Sequence, residues 1–526
     1  LTPAFGNSYF QEFEFISGVE LGKNNKLKIS CSEKSVIEKS FILNENYLPL
    51  AISKSAEIKN SIAFAGYGIT APELNYDDYK DLNVENKTVI VLMHYPKEKD
   101  ENNPFKNIQY QNYGDIQYKI FNAANHKAAG IIFVKDLINH PGTEDELIQL
   151  KEFTVYGAAS IPAIHIKRQA ILPILEKCGF NLSELEKEIE QTLQPGSKII
   201  PNIEAEIKVD LIKKKAMARN VGAITKGKSD SKIVIGAHYD HLGASEKEVG
   251  AYYPGADDNA SGVAGLLYLA KRLSSKNDYD SSILFIAFSA EEIGVQGSNF
   301  FVNSGIIPIN NIKAMINMDM IGRLREKNLI IGGAETADEF KLIINKFRRD
   351  LNIKFSGDGY GPSDHSVFYN KNIPVLFFFT GAHSDHHSTS DTAEKINIDG
   401  LQEIADLIYD IVNEIEKSNV KLTFHRVKDS KPLDMSRRGL KTYLGTIPDF
   451  AYDGEGVKIS GVRDGSPANN AGLQEGDIII QLGDKKISNL NDYTYALGSY
   501  SPGDKVKIKF IRNGEEKETE AILSKR

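Results

Sequence analysis

The sequence predicts an α/β protein: a main domain on a mostly parallel central sheet flanked by helices, with two smaller units attached. Three observations carry this. The runs Lys232-Ile233-Val234-Ile235-Gly236-Ala237 and Ser282-Ile283-Leu284-Phe285-Ile286-Ala287-Phe288 are continuously apolar, the mark of strands covered on both faces. Between them Val263 to Leu273 has helical spacing, and strands and helices go on alternating from Ser231 to about Ser418. Finally, 526 residues ask for more than one core, and most naturally for three.

Composition narrows the function before any motif is considered. Apolar residues at 41% and charged residues at 25% are ordinary globular usage, so the chain is expected to fold. With 63 basic against 71 acidic side chains the net charge is −8, and no global basic field exists to collect phosphate backbones. Nucleic acid is therefore set aside as the main partner. The longest apolar run, near Ile373 to Phe379, falls short of the ~20 residues a membrane span needs. Cys31 and Cys178 show no CxxC or CxxH spacing, so any metal would be held by oxygen and imidazole. The sequence opens at Leu1 with no charged-then-apolar leader, which fits prior removal of a signal peptide and a periplasmic or extracellular setting.

Along the chain, residues 1 to about 55 carry alternating stretches such as Tyr9-Phe10-Gln11-Glu12-Phe13-Glu14-Phe15. They close no unit of their own and need a later segment to complete them. From Ile62 the text changes to Ala63-Phe64-Ala65-Gly66-Tyr67-Gly68, a strand at Thr88 to Met93, a helix-like Tyr118 to Ala128, and Gly130-Ile131-Ile132-Phe133-Val134. That is a compact β, α, β unit. After the alternating α/β stretch, a polar segment from Arg426 to Arg438 leads to a last unit rich in Gly and short strands. The boundaries expected are 1–55 with 205–420 for the main domain, 56–204 for an insert, 421–432 for a linker and 433–526 for the terminal unit.

Five fragments of the main domain place chemistry at strand ends, where open α/β sheets bind ligands. His238 follows directly on a buried strand. Pro254-Gly255-Ala256-Asp257-Asp258-Asn259-Ala260-Ser261-Gly262 is an acidic turn feeding a helix, which by itself is explained by capping. Glu291 and Glu292 close another strand, and adjacent side chains there point differently, so one can bind a metal while the other faces substrate. Asp319 sits alone in an apolar strand, where a carboxylate needs a cation or hydrogen bonds to compensate burial. Finally His386-His387-Ser388-Thr389-Ser390-Asp391-Thr392 follows the strand Val375-Leu376-Phe377-Phe378-Phe379. Together these donors suit zinc, and also manganese or cobalt, and a shared carboxylate can hold two ions about 3.5 to 4 Å apart.

Over about residues 205 to 420 the chain resembles the dinuclear zinc aminopeptidases of the M28 peptidase group, with residues 1 to 55 supplying the rest of that domain. The resemblance implies a zinc-peptidase core holding two Zn2+ per chain, with His238, Asp258, Glu292, Asp319 and His387 as ligands. His238 and Asp319 would hold one ion, Glu292 the other, and Asp258 would bridge. Asp240 corresponds to the carboxylate that orients His238, and Glu291 to the general base. Tyr360, in Gly359-Tyr360-Gly361-Pro362-Ser363-Asp364-His365, resembles the tyrosine that stabilises the oxyanion in some relatives; packing on the cleft rim is the other reading. The closing motif puts its histidine four residues before Asp391-Thr392, which selects His387, while His386 stands where relatives often have Tyr and competes for the role. His241, His365 and His383 are assigned structural hydrogen bonds.

The implied reaction is hydrolysis of the first bond of a peptide with a free N-terminus. A glutaminyl-cyclase-like acyltransferase, a carboxypeptidase of the same fold and a non-catalytic peptide-binding receptor stand as alternatives. Lys119-Ile120-Phe121-Asn122-Ala123-Ala124, leading to Lys127 through Val134, resembles a protease-associated domain, an α/β or β-rich insert. Val457-Lys458-Ile459-Ser460-Gly461-Val462, Gly465 to Leu473 and Glu475-Gly476-Asp477-Ile478-Ile479 resemble a PDZ domain, a small β-barrel-like unit. Such domains take a peptide C-terminus by strand addition, with Tyr443-Leu444-Gly445-Thr446 as the carboxylate loop. Thr446 is smaller than usual there and Pro448 offers no N–H, so an intramolecular partner is an equal alternative.

Overall fold

The computed structural model describes residues 1–526 except 33–35, 107–111, 142–144, 151–157, 245–249, 277, 358, 418–420, 428–441, 450, 451, 453 and 526. Its largest sheet has nine strands. At its centre Ser282–Phe288, Lys232–His238, Ile312–Met318 and Val375–Phe379 lie side by side and parallel. Antiparallel strands flank them: Leu211–Ile224 beside Ser282–Phe288, and Asn328–Gly332 beside Val375–Phe379. The continuous apolar runs are explained by burial on both faces. Ile233, Ile235, Ile283 and Phe285 point to one core with the helices Gly262–Ser274 and Ile398–Lys417. Their neighbours Val234, Leu284 and Ile286 point to the other, with Phe301, Val302 and Phe368 from the helices Gln296–Asn303 and His365–Asn370.

A second sheet of eight strands contains the four parallel strands Glu57–Phe64, Thr88–Leu92, Gly130–Val134 and Ala163–Ile166. It also corrects the expected boundary at residue 55. Among the described residues of 1–55, only Thr2–Pro3 and Phe10–Leu21 pair with the main sheet. Lys26–Ser32, Val36–Ser40 and Tyr47–Pro49 pair in the second sheet instead, as does Lys198–Lys208 on the return side. The chain leaves and re-enters the main domain at one neck, where Leu21 pairs with Leu211 and Gly22 N donates to Asp210 O at 2.8 Å. Alternation reads the same in either sheet, so the pattern of residues 10–40 could not say which partner each strand would find.

The terminal unit is a six-stranded sheet with Thr446–Pro448 at one edge and the helices Pro467–Asn470 and Leu490–Gly498 packed on it. The expected boundary at 432/433 lies outside the described residues. This unit touches both others. Phe121 of the inserted helix Ile116–Asn125 belongs to its core, and Tyr495 donates to Asp115 Oδ2 at 2.7 Å. On the other side Lys371 pairs with Glu475 at 2.7 Å, and Asn370 Nδ2 donates to Ser460 Oγ at 3.2 Å. Among the described residues no helix is long and apolar enough to cross a membrane.

Candidate metal centre

Because the central strands are parallel, their carboxyl ends share one edge of the sheet, and the loops that follow them converge there. His238 is the last residue of its strand and its ring is buried. Its Nδ1 donates to the Asp240 carbonyl at 3.1 Å, which aims Nε2 at Asp258 Oδ1 (3.4 Å) and Asp319 Oδ1 (3.5 Å). Asp240 thus orients His238 through its backbone, while its carboxylate accepts Glu291 N at 3.1 Å and Glu292 N at 3.3 Å. One aspartate thereby fixes the ends of two adjacent strands.

The acidic turn does more than cap a helix. Asp258 and Asn259 depart from helical backbone, and the turn is anchored from several sides. Asp391 Oδ2 accepts the amides of Asp257 (2.9 Å) and Asp258 (3.1 Å), and is itself held through Arg323, which donates to Oδ1 at 2.9 Å. Asp257 faces away, accepting Gly322 N at 2.7 Å and lying 3.0 Å from His383 Nε2. Asp258 is left pointing into the site with its oxygens divided. Oδ1 faces His238, whereas Oδ2 lies 3.2 Å from His387, 3.3 Å from His386 and 3.7 Å from His241. Glu292 closes the second half, 3.0 Å from His387 Nε2 and 2.6 Å from His241 Nδ1.

The donor atoms therefore form overlapping triplets that share Asp258: His238, Asp258 and Asp319; His241, Asp258 and Glu292; and Asp258, His386 and His387. Within each, all donor atoms lie within 4.8 Å of one another. This oxygen and imidazole set fits zinc, and the division of the two Asp258 oxygens between His238 on one side and His241, His386 and His387 on the other fits a pair of ions. Electrostatics agree. Burial by itself would lower the His238 imidazole, but the carboxylates of Glu291, Asp319 and Asp258 outweigh it and push it up. Hydrogen bonds to Asp258 and Glu292 likewise raise His387 to about 10. The cluster of acids calls for positive charge at this point.

Glu291 stays outside the triplets, 3.9 Å from His238 Nε2 and largely buried. Burial, and then the neighbouring carboxylates of Asp319 and Asp364, push its carboxyl well above the usual range, against the opposing pull of His238.

The structure thus brings His238, Asp240, Asp258, Glu291, Glu292, Asp319 and His387 together, and it changes four expectations, the first being that His238 is oriented by the backbone carbonyl of Asp240 and not by its carboxylate, which lies 3.8 Å away. His241, assigned a structural role, reaches Glu292 and Asp258. His386 joins beside His387, their rings 4.0 Å apart. Tyr360 turns away: its hydroxyl donates to Val462 O at 3.3 Å and accepts from Arg426 Nη1 at 2.7 Å, at the seam with the terminal unit. Three aromatic and basic neighbours, Tyr369, Arg426 and Arg463, hold its ring there. His365 stays structural, stacked on Phe377 and lowered to about 3 by burial. The signal for His241 was its place three residues after His238, on the same strand-end loop.

An open cleft of about 1240 Å³, counted to its solvent-filled mouth, leads to Asp258, Glu291 and Asp319. Its walls are largely apolar, with Val295, Met320, Phe377 and Phe379 from the main domain and Ile447 and Pro448 from the terminal unit.

Residues 220–412 match the family model described as Peptidase family M28, and residues 427–523 match the PDZ domain model. A protein described as probable leucine aminopeptidase 2, from Arthroderma benhamiae, is 34% identical over 175 residues, covering 31% of this chain and 34% of that protein. Aminopeptidase YwaD of Bacillus subtilis is 26% identical over 321 residues, covering 56% of this chain and 67% of that protein. Among solved structures, a zinc aminopeptidase from Bacillus subtilis aligns with a TM-score of 0.43 at 18% identity, over 82% of this chain and 86% of that one. The chain spans about a third of the length of the curated relatives it matches first.

Proposed function

The chain carries a peptidase family M28 domain at residues 220–412 and a PDZ domain at 427–523, and from that premise we propose that it is a zinc aminopeptidase that removes apolar N-terminal residues from peptides. The observation that carries this reading is the division of the two Asp258 oxygens between two sets of donors, with the carboxylate of Glu291 left over beside them. His238 and Asp319 would hold one zinc, and Glu292 with His387 the other, with Asp258 shared and His241 and His386 at its second oxygen. When bound, such a pair supplies Lewis acidity, polarising a carbonyl and lowering the pKa of water toward about 7.

Glu291 performs the proton transfers. Its carboxylate takes the proton of the attacking water and returns it to the nitrogen of the leaving amine, so its net charge is restored at each turnover. Asp240 holds the backbone of Glu291 by accepting its amide, which keeps the base in register with His238. The leftover position of Glu291 suits this role, since a carboxylate bound directly to a cation is made less basic by it. Apolar cleft walls at Val295, Met320, Phe377 and Phe379 favour an apolar first side chain, in keeping with the leucine aminopeptidases among the relatives.

The inserted unit, which contains the parallel strands at 57–64, 88–92 and 130–134, serves in this reading as a protease-associated type insert. For the PDZ domain this reading takes the intramolecular partner, supported by two contacts. Thr446 Oγ1 and Tyr493 OH meet at 2.5 Å between the edge strand and the helix Leu490–Gly498, while Ile447, Pro448 and Asp449 line the cleft. The test of the whole reading is a peptide panel assayed with and without chelator. Cleavage of Leu-initiated peptides that is lost on chelation, is restored by zinc and is absent for N-blocked peptides is expected. Equal cleavage of blocked peptides, or activity that survives chelation, would overturn it.

A further inference from the structure

A second cluster of imidazoles and carboxylates lies in the inserted unit, far along the chain from the peptidase motifs and on a different sheet. Strands Thr88–Leu92 and Gly130–Val134 run parallel with Leu92 opposite Val134. His94 and Asp136 each follow two residues beyond that pair, and Glu98 and His140 follow six beyond it. The two strand ends therefore present matching pairs four residues apart, His94 with Glu98 and Asp136 with His140. One donor atom from each of the four lies within 4.8 Å of the others. His94 Nδ1 is 2.7 Å from Asp136 Oδ1, His140 Nε2 is 2.7 Å from Glu98 Oε2, and the two rings lie 4.0 Å apart.

Two hydrogen-bonded pairs do not account for this arrangement. The Asp136 side chain is fully buried, yet its Oδ2 receives no hydrogen bond and faces His140 Nε2 across 3.9 Å. A buried carboxylate oxygen without a donor is costly, and a cation between the two pairs would satisfy it. The buried Lys119 adds positive charge near Asp136, but its hydrogen bonds go to the carbonyls of Leu92 (2.8 Å) and His94 and not to Asp136 Oδ2. Both loops are also braced from behind. Glu186, itself paired with Arg168 at 2.7 Å, accepts the amides of Leu137 (2.6 Å) and Ile138 (3.0 Å). Glu190 accepts Lys97 N at 2.9 Å, and Asn103 donates to the Pro96 carbonyl at 2.8 Å. Such bracing holds ligands in place before an ion arrives.

We propose that His94, Glu98, Asp136 and His140 form a separate zinc site that clips the two strand-end loops of the inserted unit together. Two imidazoles and two carboxylates fill a tetrahedral shell, which leaves no open position for substrate and makes the site structural. The side chains of His94, Glu98 and His140 are about a third exposed or less, so an ion enters from solvent while Asp136 forms the floor. The proposal does not depend on the peptidase reading.

The test compares the full chain with its His140→Gln variant, both stripped of metal and then dialysed against micromolar zinc, with zinc per chain read by elemental analysis. The variant is expected to bind one equivalent fewer than the wild type while its peptide turnover is unchanged. Because the result is a difference, it does not matter how many ions the peptidase centre holds. In an Asp258→Ala background, zinc is expected to raise Tm, and the additional His140→Gln substitution to reduce that rise. Equal zinc content in wild type and His140→Gln, or a zinc-dependent Tm rise of the same size with and without His140→Gln in that background, would overturn the proposal and leave the cluster as hydrogen-bonded pairs.

Discussion

Two parallel-stranded sheets in this chain end their strands in imidazoles and carboxylates, but they use them differently. In the inserted unit two strands each supply a pair of donors four residues apart, and all four donors converge on one point. In the main domain the donors come from the ends of four strands and from an acidic turn, and Asp258 is shared between triplets. There Glu291 is left over, buried beside the cluster but not drawn into it. On the two proposed readings, the difference separates a clip from a catalyst. A closed set of ligands can only stabilise, whereas a shared ligand and a spare base can move protons.

The comparison breaks most visibly at the spare base. Glu291→Gln is expected to keep its zinc and lose at least ~10²-fold in turnover; near-normal turnover would make Glu291 no more than a buried neighbour. Its counterpart is Asp258→Ala, expected to lower zinc content measured by elemental analysis, because both halves of the centre lose a ligand. His241→Ala sharpens the point that the structure added. Zinc affinity on the Glu292 side should fall ~10–100-fold, as for groups that support a ligand, and competition with a chromogenic chelator reads it directly.

Smaller effects are expected at the seam between units. Tyr495→Ala removes the ring packed on Tyr118 and Phe121 and the bond to Asp115, loosening the unit that supplies part of the cleft wall. KM should rise several-fold with kcat within about twofold, the signature of lost binding rather than lost chemistry. A fall in kcat alone would contradict the wall assignment. Smallest is Tyr360→Phe. With its hydroxyl committed to Val462 and Arg426, kcat should change less than about threefold, whereas loss of an oxyanion donor costs ~10²–10³-fold. Thermal stability should fall by about 1 kcal/mol for the lost hydrogen bonds.

Much of the main domain was legible because a parallel sheet has a simple geometry. Each buried strand announces itself as an apolar run, every such strand points the same way, and its last residue therefore lands on the same edge. His238, the Glu291-Glu292 pair and Asp319 could be placed together on that ground. The inserted unit was legible only in its middle. Its outer strands at 26–32 and 36–40 alternate like the Phe10–Leu21 strand of the other sheet, and only pairing through the neck at Gly22 and Asp210 separates them.

By itself the sequence determined the order of the parallel strands' chemistry, since local apolar pattern and strand direction are properties of short segments. Which way each loop side chain turns was decided by tertiary structure. His241 swings toward Glu292, Tyr360 is drawn to Val462 and Arg426, and His94 meets Asp136 across a strand pair 42 residues apart. Those contacts join segments distant in sequence, so they depend on which surfaces pack together, a quantity that no local spacing encodes.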